Sequence, residues 1–364
     1  MEMLGVTVFS GIYRGKRTLI TGHTGFKGSW LSLWLTELGA DVTGMALSPE
    51  TTPNHWDLLA LPMKDYRFDI RDSDAVQRFF LEAQPEIVFH LAAQPLVRHS
   101  YSDPLQTWCT NVMGTANVLE ACRLQPSVTA VVVVTTDKCY ENREWPWGYR
   151  ENDQLGGHDP YSASKAAAEL VAASYRDAFF MSKSKTSPLL ATARAGNVIG
   201  GGDWSADRLI PDAVRALEKN ASLEIRSPQA TRPWQHVLES LSGYLLLGQK
   251  LLMGDSHFAE AWNFGPSVDG NRTVAEVLVK LQQYWKTMCW HVSEHQQPHE
   301  AKLLYLDSAK ANAKLGWSPV WNLETTLQKT AEWYSAWQTE KVISRHQLTE
   351  YMRTATENNL QWAQ

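Results

Sequence analysis

The run "VVVVTTDKCYEN" ends four valines in polar chemistry: Thr136, Asp137 and Lys138 set a hydroxyl, a carboxylate and an amine side by side. An acid next to a base can handle the two proton transfers that an elimination needs. Further along, "PYSASK" puts Tyr161 and Lys165 four residues apart, on one face of a helix. An ammonium near a phenol, together with an oxidised nicotinamide, favours tyrosinate. A tyrosinate can take the proton of a sugar hydroxyl as hydride leaves its carbon. Before both, "TGHTGFKG" spaces Gly22, Gly25 and Gly28 so that backbone N–H groups can approach a pyrophosphate at a helix N-terminus. Thr24, Phe26 and Lys27 belong to the same loop.

The rest of the cofactor reading follows from where strands end. A dinucleotide fold usually carries an acid at the end of its second strand for the ribose hydroxyls. Here that region reads "GMALSPETTPN", with no acid at the strand end and no arginine to meet a 2′-phosphate, so NAD is expected rather than NADP. Asp69 and Ile70 in "FDIRD" close a third strand. Asp69 either accepts from the adenine amino group or is an acid at a helix N-terminus. Leu91, Ala92 and Ala93 end the fourth strand, and Thr110 lies on the helix after it.

Alternating patterns position these groups. Short apolar runs at 17–22, 41–47, 66–70, 86–93, around Val131–Val134 and at 189–200 read as strands. Helical patterns lie between them, including the long Pro104–Leu124 and Pro160–Phe179. Strict alternation implies βαβ units. The expected fold is α/β, a Rossmann-type doubly wound parallel sheet over residues 1–198. A smaller mixed α/β substrate-binding domain is expected over 199–364, with 236–256 rejoining the first half. After Gly200 the chain turns loop-rich, with helical patterns at His236–Met253, Thr273–Trp285, Asp307–Leu315 and Glu324–Trp337.

The bulk numbers narrow the function class. The 364 residues are 44% hydrophobic and 20% charged, with net charge −5, so no basic stripe points to nucleic acid. Cys109, Cys122, Cys139 and Cys289 form no CxxC pair, and the histidines show no HExxH, so neither a disulfide framework nor a metal site is expected. No run reaches membrane-spanning length, and the first residues lack the basic head and apolar core of a signal peptide. A cytoplasmic protein is the expectation. Most of the 16 tryptophans should be packing residues.

Taken together, "TGHTGFKGSWLSLWL", "FDIRD", "HLAAQ", "TNVMGT", Tyr161/Lys165, "ARAGNVIGGGDW" and "RPWQHVLE" resemble, in order and over nearly the whole chain, the extended short-chain dehydrogenase/reductase superfamily in its nucleotide-sugar branch. Within that branch the chain is similar to the 4,6-dehydratases that act on CDP-hexoses. The resemblance implies NAD, a homodimer pairing the two long helices, with tetramers also open, and 4-keto-6-deoxy sugars for the dideoxyhexoses of bacterial surface polysaccharide. It implies that Thr136 orients the sugar's C4 hydroxyl and that Asp137 protonates the departing C6 hydroxyl. Lys138 stands where related dehydratases carry a glutamate base. Lysine acts as a base only if its amine falls from its usual pKa of about 10.4, and the alternative is an ammonium that stabilises an enolate. Arg194, Asn197, Arg208 and Arg232 are expected near the sugar nucleotide, with His299 a further candidate. Trp204 and Trp234 can stack on cytosine or pack in the core, and Cys139 and Tyr140 are expected to pack beneath the site. Three other readings stay open: an epimerase, a dehydratase for dTDP- or GDP-sugars, and a non-catalytic NAD sensor.

Overall fold

The computed structural model describes residues 8–181, 187–294 and 301–364. Its centre is a seven-stranded parallel sheet. In chain order the first six strands are β1 Arg17–Thr21, β2 Asp41–Ala46, β3 Lys64–Arg67, β4 Ile87–His90, β5 Ala130–Val134 and β6 Leu189–Ala195. The small strands β7 Asn197–Ile199, β8 Leu223–Ile225 and β9 Thr231–His236 follow, then β10 Ala261–Phe264, β11 Asn271–Thr273 and β12 Trp290–Val292. The large sheet runs β10-β6-β5-β4-β1-β2-β3. Its order reverses between β1 and β4, which opens a crevice at the carboxyl ends of the strands. β5 is buried along its whole length, as its valine run requires of a central parallel strand.

The third strand sits earlier than its pattern suggested. It covers 64–67, so Asp69 and Ile70 lie beyond it, in the turn that leads to the helix Ser73–Ala83. The run 189–200 divides at Gly196 into β6 and β7. A Cβ there would stand 2.4 Å from the Pro233 ring. The long helix Pro104–Leu124 is present but contains a π-helical turn at Cys109–Gly114. Gly114 lets Ile70 come close, since an added Cβ would meet its Cδ1 at 2.5 Å.

The second half adds a sheet β11-β9-β7 and a pair β12-β8. Two features cross the expected boundary at 198. The helix Val237–Leu252, capped by His236, packs against β5 and β6, and β10 then joins the large sheet beside β6. The helix Ser344–Glu357, which the patterns missed, returns to the first half: Tyr351 meets Trp34 edge-to-face at 5.6 Å, and Trp362 stacks on Phe9 at 5.0 Å. Trp30, Trp34, Trp262, Trp317, Trp333 and Trp362 are fully buried.

Candidate active site

The glycine loop is built around two close approaches. Gly22 has φ +75°, and a Cβ on it would meet the Ala92 nitrogen at 2.7 Å. A Cβ on Gly28 would stand 2.1 Å from the Gly22 carbonyl oxygen. Only glycine fits both places. Gly25 then precedes the helix Phe26–Glu37, and no side chain caps that helix. Its first-turn N–H groups are available to an anion, where the helix dipole adds positive potential. This cradle fits the pyrophosphate of a dinucleotide.

The expected cofactor residues line one wall of a cleft of about 1500 Å³. Gly22, Thr24, Gly25, Phe26, Gly28, Asp69, Ile70, Leu91, Ala92, Ala93 and Thr110 all face it. The capping role open to Asp69 is taken by Asp72, which accepts from the Ala75 amide at 2.9 Å. Asp69 instead grips Arg71 with Nη2 at 2.6 Å. Burial pushes the Asp69 carboxyl up, but the hydrogen bonds and charge of Arg71 outweigh it and hold it below its ordinary value. At the end of β2 the Leu47 carbonyl accepts from Thr24 Oγ1 at 3.0 Å and from Arg67 at 2.9 Å. Glu50, just beyond, also faces the cleft.

At the other end of the cleft, Asp137–Cys139 forms a single 3₁₀ turn directly after β5. Thr136 starts the turn by accepting from the Lys138 amide at 3.3 Å, and its hydroxyl donates to Asp137 Oδ1 at 2.9 Å. Asp137 is buried, and its Oδ2 has no hydrogen-bond partner among the described residues. Burial raises its carboxyl above the ordinary value, against the opposing pull of Lys138, Thr136, Arg232 and Lys27. This side chain is therefore suited to hold a proton and give it away. Lys138 is half-buried and lines the same cleft.

Tyr161 and Lys165 project from the helix Pro160–Tyr175, whose N-cap Asp159 accepts from the Ser162 amide. Burial pushes the Tyr161 phenol up to about 12, opposed by a hydrogen bond with Thr136 and by Arg208. The Lys165 amine reaches the Val134 carbonyl at 3.4 Å. Burial brings Lys165 down to about 8, against the charge of Glu169. Lys27, expected with the cofactor, also lines this cleft, with its amine 3.3 Å from the Tyr244 hydroxyl. Burial first, then Arg208, brings it to about 7.

On the substrate side, Asn197, Arg208 and Arg232 line the cleft. Arg194 does not: it is 3% exposed and ion-paired with Glu169 at 2.8 Å beneath the site. The expectation that it meets the substrate is corrected, because its strand position points it under β5. His299 lies outside the described residues. Trp204 and Trp234 border the cleft but are packed. Trp204 meets Trp333 edge-to-face at 5.5 Å, and the Trp234 indole donates to the Arg272 carbonyl at 2.9 Å. Sequence reasoning missed Arg98 and Arg226, which both face the cleft and pair with Asp207 at 2.8 Å and 3.7 Å. No spacing marks them, since they come from opposite halves of the chain. Cys139 and Tyr140 pack beneath the site as expected, with Tyr140 donating to Asn263 Oδ1 at 2.7 Å.

Comparison with known proteins gives the family. The family model described as GDP-mannose 4,6 dehydratase matches residues 19–330. A CDP-glucose 4,6-dehydratase of Salmonella typhimurium is 48% identical over 352 residues, covering 94% of this chain and 98% of the relative. A dTDP-glucose 4,6-dehydratase of Shigella flexneri is 25% identical, over 88% of this chain and 93% of the relative. Two solved structures share the fold. An epimerase of Methanothermobacter thermautotrophicus has a TM-score of 0.80 at 23% identity, covering 91% of this chain and 96% of the other. A dTDP-glucose 4,6-dehydratase of Bacillus anthracis in complex with NAD has a TM-score of 0.72 at 21% identity, covering 87% and 96%. With its glycine cradle, its Tyr161/Lys165 pair and a match over most of its length, the chain belongs to the GDP-mannose 4,6 dehydratase family, within the extended short-chain dehydrogenase/reductases.

Proposed function

We propose that the protein dehydrates CDP-glucose to CDP-4-keto-6-deoxyglucose and water, with NAD as a cofactor that ends each cycle oxidised. Bound NAD supplies the hydride acceptor and later the donor, so the reaction has no net redox change. Tyr161 takes the proton of the C4 hydroxyl as that carbon is oxidised, with Thr136 orienting the hydroxyl. The resulting ketone acidifies the C5 proton, which Lys138 removes. Asp137 gives its proton to the C6 hydroxyl, which leaves as water, and C6 then takes the hydride back while C5 regains a proton. Arg208 and Arg232 suit the diphosphate. The glycine cradle, Asp69 and the wall from Leu91 to Ala93 would hold the cofactor.

The observation that carries this reading is Asp137: a buried carboxyl raised above its ordinary value, with one oxygen unpartnered among the described residues, next to Lys138 and in the same cleft as Tyr161. An epimerase needs the tyrosine and lysine but no elimination pair. The substrate's cytosine rests on the 48% identity to the Salmonella typhimurium enzyme. Incubation with NAD and each of CDP-, dTDP-, GDP- and UDP-hexose tests both points. A 4-keto-6-deoxy product from CDP-glucose alone, carrying C5 deuterium from heavy water, is the expected result. Epimerised sugar, or product without C5 deuterium, would overturn it.

A homodimer through the helices Pro104–Leu124 and Pro160–Phe179 goes with this reading. It is supported by the apolar side chains they leave in water: Leu105 is 75% exposed, Met113 57% and Leu170 60%. A cytoplasmic enzyme supplying deoxysugars for surface polysaccharide is the matching setting. Its nucleotide-sugar substrate and four free cysteines support that setting.

A further inference from the structure

A buried ion pair lies under the catalytic turn and has no part in the chemistry assigned above. Glu169 follows Lys165 by one helical turn, and its side chain and that of Arg194 are each 3% exposed. Glu169 Oε2 accepts from Arg194 Nη2 at 2.8 Å and from Thr192 Oγ1 at 2.7 Å. Its other oxygen accepts from Thr135 Oγ1. Arg194 Nη1 donates to the Tyr140 hydroxyl at 2.7 Å and to the Glu151 carbonyl at 3.0 Å. Thr135 comes just before the Asp137–Cys139 turn and Tyr140 just after it. The two partners of one ion pair therefore grip the two ends of the turn that carries Asp137 and Lys138.

Such a pair is a poor source of stability, because desolvation of two charges cancels much of their attraction. What it provides is fixed geometry between the helix of Tyr161 and Lys165 and the strand end of Thr136, Asp137 and Lys138. We propose that Glu169 and Arg194 are positioning residues for the dehydration: their ion pair locks the catalytic helix to the catalytic turn, with Glu169 as the countercharge of Lys165. The proposal rests on the function given above. The surroundings of Lys165 agree with it. Burial lowers its amine to about 8, and Glu169 is the largest opposing influence, followed by Cys139. The charges of Lys165 and Lys27 repel, and the buried His90 feels Lys165 while staying neutral, with its ring brought to about 3 by burial.

The test compares Glu169→Gln with the double variant Glu169→Gln/Arg194→Met. The single variant strands a buried guanidinium and should melt at a lower temperature. The double variant removes both charges and should regain most of that loss. Lysine side-chain NMR, assigned with Lys165→Met, should show the Lys165 amine titrating lower in Glu169→Gln, which loses only the countercharge, than in the unaltered protein. The double variant's kcat for CDP-glucose should stay down by ~10²-fold, as a small misplacement of catalytic groups predicts, while KM changes little. A double variant with unaltered kcat, together with an unshifted Lys165 in Glu169→Gln, would show that the pair is only packing, and would overturn the proposal. The Lys165 titration needs no substrate. A wrong assignment of the reaction would therefore show as absent turnover in the unaltered protein, with the titration shift still present.

Discussion

Asp137 shows how burial can reverse the expectation for a charged neighbourhood. Lys138, Lys27 and Arg232 all favour its carboxylate, yet desolvation outweighs them and the carboxyl is raised. Asp137→Asn keeps the shape and removes the acidic proton. It should lower kcat by about 10²–10⁴-fold, the usual worth of a general acid. Because C4 oxidation does not need this proton, reduced cofactor should accumulate in stopped-flow absorbance. Normal turnover would remove the acid from the mechanism. Lys138→Ala has a different signature: C4 oxidation should survive while exchange of the C5 proton with heavy water slows. Unchanged exchange would leave the lysine as an enolate stabiliser at most. The spacing of Tyr161 and Lys165 was readable directly, since four residues along a helix always share a face. Their protonation was not readable, since burial pushes the phenol to about 12 and the amine to about 8.

At the scale of elements, the strand–loop–helix unit around Gly22–Gly28 depends on two contacts between backbones. Gly28→Ala would force a Cβ to within 2.1 Å of the Gly22 carbonyl, and a backbone atom cannot swing away as a side-chain tip can. The variant should lose about 1–3 kcal/mol of stability, as overpacking does, and bind NAD more weakly in calorimetry. Unchanged NAD affinity would mean that the loop does not cradle the cofactor. A second element contact is pH-dependent. Glu239, on the helix Val237–Leu252, accepts from the Val320 and Trp321 amides and from the Tyr351 hydroxyl, tying three segments together. Burial raises its carboxyl from 4.5 to about 7 in spite of these bonds. With the folded value above the unfolded one, this group's stabilisation is complete below about pH 4.5 and is lost as pH rises through about 7. The loss is about 3 kcal/mol. Urea melts across that range should therefore fall less steeply with pH for Glu239→Gln than for the unaltered protein, and parallel curves would count against the shift.

For the whole molecule, the exposed faces of the two long helices set the expected assembly. Leu105→Glu together with Leu170→Glu places charge on residues 75% and 60% exposed, so the fold should stand while the dimer separates. Analytical ultracentrifugation should then give monomers, and a persistent dimer would move the interface elsewhere. Helical periodicity revealed these helices and short continuous apolar runs revealed six strands, because an amphipathic helix repeats its apolar face while a parallel strand buried on both faces is apolar throughout. β10, Ala261–Phe264, lies in the loop-rich half with no regular strand–helix alternation around it, and it becomes a strand by pairing with β6.

The chain's own order of residues determined the glycine cradle, the 136–138 turn after a buried strand, and the shared helical face of Tyr161 and Lys165. The turn and the shared face depend on neighbours within a few positions, and so does the glycine spacing, although Gly22 also makes room for Ala92 just beyond β4. Only the tertiary structure decided which cations reach the cleft. Arg194 is on the right strand but points beneath it to Glu169, while Arg98 and Arg226, more than a hundred residues apart, face the same space. The direction of a strand residue depends on what packs above and below the sheet, and a buried charge goes where a countercharge waits for it. The same long-range packing placed Lys27 beside Tyr244 and gave Asp137 the burial that holds its proton.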